Sequence, residues 1–236
     1  MKRFFTRLLA LAVIAALAGL AWHRFARKNA ALSHSAPRGR PFDAAFIRLS
    51  PLEIASLPEA ARFEYPLGSQ NAAMTYNAQP FRITRHLGDD LNGIGGENSD
   101  LGDPVFAAGA GKVVYSGVPG PGWGNMLILV HRVPQADAPG GFAVYQTVYA
   151  HLEKILVHPD QLVQRGDQIG TVGTANGQYL AHLHFEVRIG PYINPSVGYA
   201  DVPLNRLWPE KFINEHRGAP DDQLNPAPRL ESGQEK

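Results

Sequence analysis

The sequence predicts a mainly β protein: one antiparallel β-sheet domain with short peripheral helices and a hydrophobic helix at its N-terminus. Three observations carry that expectation. The run Ala181–Ile189 alternates strictly, with Leu183, Phe185, Val187 and Ile189 on one side and His182, His184, Glu186 and Arg188 on the other, and a period of two is that of a half-buried strand. Further runs of this kind recur between clusters of turn residues. The chain also carries 24 Gly and 19 Pro in 236 residues, a turn density that suits short strands rather than long helices. At 44% hydrophobic, it can bury one good core, hence a single domain with appendages.

Taken in order, Lys2, Arg3 and Arg7 precede the apolar run Leu8–Trp22. That run is shorter than the roughly 30 Å hydrocarbon core requires of a straight helix, and a basic cap before it is the signal-peptide pattern. Arg24, Arg27 and Lys28 follow at once, as at the flank of a short uncleaved anchor whose long side chains snorkel. Residues 1–22 are therefore a signal peptide or a membrane anchor, and the expected location is outside the cytoplasm: periplasm or cell envelope, with residues 8–22 as the inner-membrane anchor if they are retained. Residues 23–62 read as a linker and a short peripheral helix. Ser50-Pro51-Leu52-Glu53 is a capping box with proline at the first helical position, and Pro58 stops the helix.

From Phe63 the texture is strand and turn. Pro104–Ala108, Gly111–Gly117, Asn125–His131 and Ala143–Leu152 read as strands. Val163–Gly173 reads as two more, joined at an Arg165-Gly166-Asp167 turn. The acidic, glycine-rich stretch Asn92–Asp100 has Ile94 where an EF-hand needs an oxygen ligand, and it lacks the Lys and Ser/Thr of a phosphate loop. It reads as a solvated loop forming one wall of a cleft. Beyond Tyr199 lies a C-terminal extension, residues 199–236, with a short helix over Pro209–His216 and a disordered end.

Composition excludes several functions. Net charge is +1 with 18% charged residues, so no basic field invites nucleic acid. Cysteine is absent, which removes thiol nucleophiles, thiolate ligands, disulfides and cysteine lipidation. A metal would have to be held by His, Asp or Glu. His182 and His184 lie roughly 6 to 7 Å apart on one strand face, close enough to converge on one ion or water. Upstream, His86-Leu87-Gly88-Asp89-Asp90 offers further ligands, provided the chain bends near Gly88, since four strand residues would otherwise separate His86 and Asp90 by roughly 13 Å. Spacing leaves Asp89 and Asp90 both open. His151 closes a strand on the face of Tyr145, Thr147 and Tyr149. His131 and His158 read as structural.

His-x-Gly-x-Asp at 86–90, Tyr149-Ala150-His151-Leu152 and His182-Leu183-His184-Phe185-Glu186 occur in a telling order. Together they resemble the lysostaphin-type, LytM-like zinc metallopeptidases that cut bacterial cell-wall peptides. The likeness covers residues 63–198. It includes Gly102–Ala107, Gly111–Val114, the Val163–Gly170 turn and Asn194-Pro195, and departs from the family at Ala181, where proline is common. The resemblance implies a duplicated hybrid-motif β fold, one Zn2+ per domain held by His86, Asp90 and His184, and His151 and His182 as catalytic residues. Two imidazoles and a carboxylate leave a fourth position open, as in catalytic zinc sites. The implied activity is hydrolysis of peptide bonds in peptidoglycan stem peptides or cross-bridges through zinc-activated water. Glu186 is then a partner of His184 or pairs with Arg188, and Tyr149 and Trp123 are groove walls. Two other readings compete. One is a non-catalytic scaffold that activates a cell-wall amidase. The other is a carrier module, suggested by the Gly166–Gly170 turn, which has no lysine at a carrier hairpin.

Overall fold

The strand Asn125–Pro134, here β6, shows how the sheet is built. Leu127 and Leu129 enter one core while Met126, Ile128 and Val130 enter another, so a nearly unbroken apolar run marks a strand covered on both faces. The computed structural model describes residues 47–68, 74–195 and 197–218, all within one compact unit. Among these residues no helix is long and apolar enough to cross a membrane. The N-terminal apolar run and the expected disordered end lie outside the described residues.

The fold is antiparallel β throughout its sheets. In chain order the elements are β1 (Ile47–Arg48), α1 (Pro51–Ala55), β2 (Thr75–Gln79), β3 (Asp89–Gly93), β4 (Pro104–Phe106), β5 (Gly111–Gly117), β6, β7 (Phe142–Leu152), β8 (Lys154–Ile155), β9 (Leu162–Val163), β10 (Gln168–Thr171), β11 (Leu183–Ile189), β12 (Tyr192–Ile193), β13 (Arg206–Leu207) and α2 (Pro209–His216). The large sheet runs β2-β3-β11-β7-β6-β5-β9, with β13 also pairing β11. A three-stranded sheet β4-β10-β8 and the ribbon β1-β12 complete it. The strands on either side of the Arg-Gly-Asp turn do not pair with each other: β9 joins β5, whereas β10 joins β4 and β8.

Both expected helices form. Ser50 caps α1, accepting from the Glu53 amide at 3.3 Å while the Glu53 carboxylate accepts from the Ser50 amide at 2.7 Å. Helix α2 starts at Pro209 and buries Phe212 and Ile213. The main core packs these two with Phe63, Leu183, Phe185 and Val187, where each fully buried large side chain contributes roughly 1.5–3 kcal/mol. On the other face Leu49 and Leu57 cover Met126, Ile128, Val148 and Ala150. Segments on both sides of residues 63–198 are thus built into the domain's packing.

Three local expectations change. Tyr149 is no groove wall. It is fully buried in the main core, because strand alternation pairs it with Phe185 rather than with the polar face of β11. The loop after Asn92 does not line the cleft either. Asp100 is buried and accepts from the Gly93 amide, and Asn98 and Asn92 hold the backbone of Ala181. Finally, β11 is buried on both faces rather than half-buried, since Glu186 and Arg188 are at most 1% exposed.

Candidate metal centre

Register brings the site together. On β11, His184 stands opposite Ala150 of β7 on one side and Asp90 of β3 on the other. Directly paired residues point to the same face, so Asp90 faces His184 while Asp89, one residue earlier, faces away. Asp89 instead accepts from the Phe81 amide and from the Glu210 amide in the first turn of α2. The bond from Glu210 ties that helix to the sheet.

The bend anticipated at Gly88 has a steric basis. A Cβ there would lie 2.6 Å from the Phe185 carbonyl and 2.9 Å from the His184 ring, so only glycine lets this segment press directly onto β11. The approach carries His86 to His184, their rings 4.8 Å apart.

Three atoms converge. His86 Nε2 is 2.9 Å from His184 Nδ1, His184 Nδ1 is 3.0 Å from Asp90 Oδ1, and His86 Nε2 is 3.2 Å from the same oxygen. Donors bound tetrahedrally to zinc at about 2.0–2.1 Å lie about 3.3 Å from one another, so the triangle has the size such an ion requires. Ring tautomers agree with this. His86 Nδ1 faces the Gln79 carbonyl at 3.2 Å, which only accepts, and His184 Nε2 faces the Glu186 carboxylate at 3.1 Å. In each ring the outer nitrogen holds its proton against these acceptors, so an ion that displaces a proton from the cluster would find the inner nitrogens free to bind it.

Electrostatics favour a cation here. Burial works against a charged His184, but its bonds to Asp90 and Glu186 overcome that and raise its pKa to about 9. Burial also opposes ionisation of Asp90 and Glu186. Asp90 is nonetheless held well below the usual carboxylate range by His184 and His86, and Glu186 by Arg188, His184 and Arg206. Glu186 Oε2 accepts from Arg188 Nε at 2.6 Å and Arg206 Nε at 3.2 Å. Both partners considered for Glu186 are therefore real, one on each oxygen.

His151 reaches this face by an irregularity. Alternation on β7 would put it beside Tyr149 in the main core. Asn125 pairs with Leu152 and Leu127 with Tyr149, which leaves Ala150 and His151 opposite Met126 alone. That is a β-bulge, and His151 has φ of 64°. Left-handed backbone at a non-glycine residue costs on the order of 1–3 kcal/mol and concentrates at functional sites. The turned ring lies 4.7 Å from His182 and 5.5 Å from His184. His151 Nδ1 faces the Trp123 carbonyl at 3.1 Å and His182 Nδ1 the Leu180 carbonyl at 2.8 Å, so both rings keep an Nε2 lone pair. Burial first, and then its His184 and His182 neighbours, push His151 down to about 3, a neutral base at physiological pH.

These five residues line a cleft of about 300 Å³ with Trp123, Tyr179, Gly198 and Tyr199. Trp123, expected as a groove wall, stands there, its ring 5.3 Å from that of His184. Sequence reasoning missed Tyr199, whose ring lies 5.1 Å from His86, and Tyr179, 5.1 Å from His151. No periodic pattern marks either, since both sit in irregular segments. His131 and His158 stay apart, His131 buried in the core and His158 facing its own Pro159 carbonyl.

The family model of peptidase family M23 matches residues 91–195. Peptidoglycan DD-endopeptidase ShyB of Vibrio cholerae is 36% identical over 108 residues, 46% of this chain and 21% of ShyB. Lipoprotein NlpD of Yersinia enterocolitica is 35% identical over 95 residues, 40% of this chain and 87% of that protein. Murein hydrolase activator NlpD of Escherichia coli shows the same identity over the same length, but this covers 22% of it. The chain thus spans well under a third of ShyB and of the E. coli activator. Among solved structures, lysostaphin from Staphylococcus simulans aligns with a TM-score of 0.43 at 21% identity, over 73% of this chain and 62% of that one.

Proposed function

The chain belongs to peptidase family M23, and we propose that it is a zinc-dependent endopeptidase that hydrolyses peptide bonds in peptidoglycan stem peptides or cross-bridges. The observation that carries this reading is the convergence of His86 Nε2, Asp90 Oδ1 and His184 Nδ1 within 3.2 Å of one another, with two further imidazoles beside them. His86, Asp90 and His184 are the residues that would hold the ion. A zinc ion in that position supplies Lewis-acid polarisation of the scissile carbonyl and acidifies the attacking water.

The protein's own side chains do the rest. His151 and His182, each with Nδ1–H anchored on a backbone carbonyl, present Nε2 as the proton acceptor. One of them takes the proton from the attacking water. The protonated ring then stabilises negative charge on the tetrahedral carbon's oxygen, and a proton is delivered to the departing amine. Asp90 and Glu186 keep the ligand rings in one orientation. Trp123, Tyr179 and Tyr199 narrow the cleft around an extended peptide.

The proposed setting is the cell envelope, outside the inner membrane, with residues 8–22 as the export signal or anchor. The second reading, a non-catalytic activator of a cell-wall amidase, is favoured by the likeness to a murein hydrolase activator. The intact set of five polar residues favours the enzyme. Incubating the purified protein with peptidoglycan and assaying zinc content separates the two. The enzyme reading expects about one zinc per chain and released muropeptides with cut peptides. A metal-free chain that releases nothing alone but stimulates an amidase would establish the other.

A further inference from the structure

The family match ends at residue 195, yet the cleft continues past it. We infer that Gly198 and Tyr199, carried by the segment Val197–Leu207, form a substrate-binding wall of the proposed peptidase site, with Tyr199 touching the bound peptide and Arg206 as the positioning residue that sets it. The inference rests on the peptidase reading and adds to it a binding surface contributed by this chain's C-terminal part.

The first part of the segment is fastened to the stretch Arg82–Leu87 that carries His86 into β3. Tyr199 bridges His86 in antiparallel fashion, the Leu87 amide donates to the Gly198 carbonyl at 2.9 Å, and the Ala200 amide to the Arg85 carbonyl at 3.0 Å. Arg82 clamps the carbonyls of Ala200 and Asp201 at 2.7 and 2.8 Å, and Arg85 pairs with Asp201 at 2.7 Å. Gly198 is required where it stands, since a Cβ there would fall 2.9 Å from the Trp123 ring. The two sides of the cleft therefore leave no room for a side chain between Gly198 and Trp123. Tyr199 is 55% exposed while its ring rests on His86. An exposed aromatic ring held by backbone on both sides is preorganised to receive a peptide at little entropic cost.

Arg206 links this wall to the ligand cluster. Its guanidinium donates from Nε to Glu186 at 3.2 Å and from the adjacent nitrogen to the Val197 carbonyl at 3.1 Å. Glu186 in turn holds His184. One buried cation thus spans the support of a proposed metal ligand and the residue two before Tyr199. The planar guanidinium fork can make both bonds at once, which an ammonium on a shorter reach cannot.

The test measures binding as well as turnover, so that it survives failure of the peptidase reading. Soluble peptidoglycan stem peptides are titrated into the zinc-loaded full chain and its variants, and KM and kcat are measured wherever cleavage occurs. Tyr199→Ala is expected to weaken binding, and to raise KM, about tenfold with kcat, zinc stoichiometry and Tm near wild type. Tyr199→Phe is expected to stay within about twofold, because the ring makes the contact. Arg206→Lys is expected to weaken binding like Tyr199→Ala, and the double variant to be no worse than either alone. Wild-type affinity in Tyr199→Ala would overturn the wall. Additive losses in the double variant would overturn the role of Arg206. If the wild type binds stem peptides but cuts nothing, the endopeptidase reading fails while the wall is still judged by these affinities.

Discussion

Two buried histidine centres sit on opposite faces of the large sheet. On the main-core side, His131 has both ring nitrogens occupied, Nδ1 at 2.7 Å from the Ala110 carbonyl and Nε2 at 2.7 Å from the Thr147 hydroxyl. The neutral His131 ring accepts the Thr147 hydroxyl proton at Nε2, and the Thr147 oxygen lies 2.9 Å from the Tyr149 hydroxyl, which accepts from the Ala108 amide. On the other side, each of His86, His151, His182 and His184 spends one nitrogen on protein support and turns the second towards an open cleft. Burial is similar, with His131, His86 and His184 all at most 2% exposed. What separates the two centres is that His131 gives both nitrogens to the packed core, whereas each cleft histidine gives one to support and presents the other to the cluster lining the cleft.

The sharpest way to break the comparison is to remove one histidine from each centre. His151→Ala is expected to cut peptide hydrolysis roughly 10²–10⁴-fold, the usual contribution of a general acid or base, while zinc stoichiometry stays at wild type. His131→Gln is expected to leave turnover per folded molecule unchanged and to lower Tm. Equal losses of turnover from the two would erase the distinction.

A smaller effect tests the support of the ligands. Glu186→Gln removes the charge that orients His184 and balances Arg188 and Arg206, and zinc affinity is expected to fall roughly 10- to 100-fold. Competition with a chromophoric chelator measures it. Affinity matching wild type would mean that Glu186 serves packing alone.

The closed centre should report itself in acid. Burial pushes His131 down to about 4, whereas in the unfolded chain it titrates near 6.5. Between those values the unfolded state binds the extra proton, so stability is full above about pH 6.5 and is withdrawn as pH falls towards 4. The loss from this residue is roughly 3 kcal/mol, read from denaturant midpoints across that range. His131→Gln is expected to flatten that part of the profile. The mildest change is Tyr149→Phe, which deletes bonds to Thr147 and the Ala108 amide. It is expected to cost about 1–3 kcal/mol with zinc binding and turnover untouched, the opposite of what a groove wall would show.

The contrast also explains what the sequence could reveal. Strict alternation in Leu183–Ile189 places His184 and Glu186 on one face, and the capping box at Ser50 and the proline at 209 mark both helices. These are local signals and the structure follows them. The same alternation misplaces His151, because a bulge opposite Met126 and a positive φ turn its ring to the other face. Alternation likewise suggests Tyr149 as a cleft residue until the register with Phe185 fixes its side. Choosing between Asp89 and Asp90 needs the pairing of β3 with β11, a contact between residues 94 apart. Tyr199 and Arg206 follow the same rule: their places depend on long-range fastening to His86 and Glu186 that no neighbouring residue announces.

The central claim is that the open centre holds a metal and performs hydrolysis, whereas the closed one does neither. The most direct test is muropeptide release from purified peptidoglycan by wild type and His184→Ala at matched folded concentration, with bound zinc quantified in both. The account predicts about one zinc and cut peptides for wild type, and neither for His184→Ala. Full hydrolysis by His184→Ala with zinc still bound would contradict it.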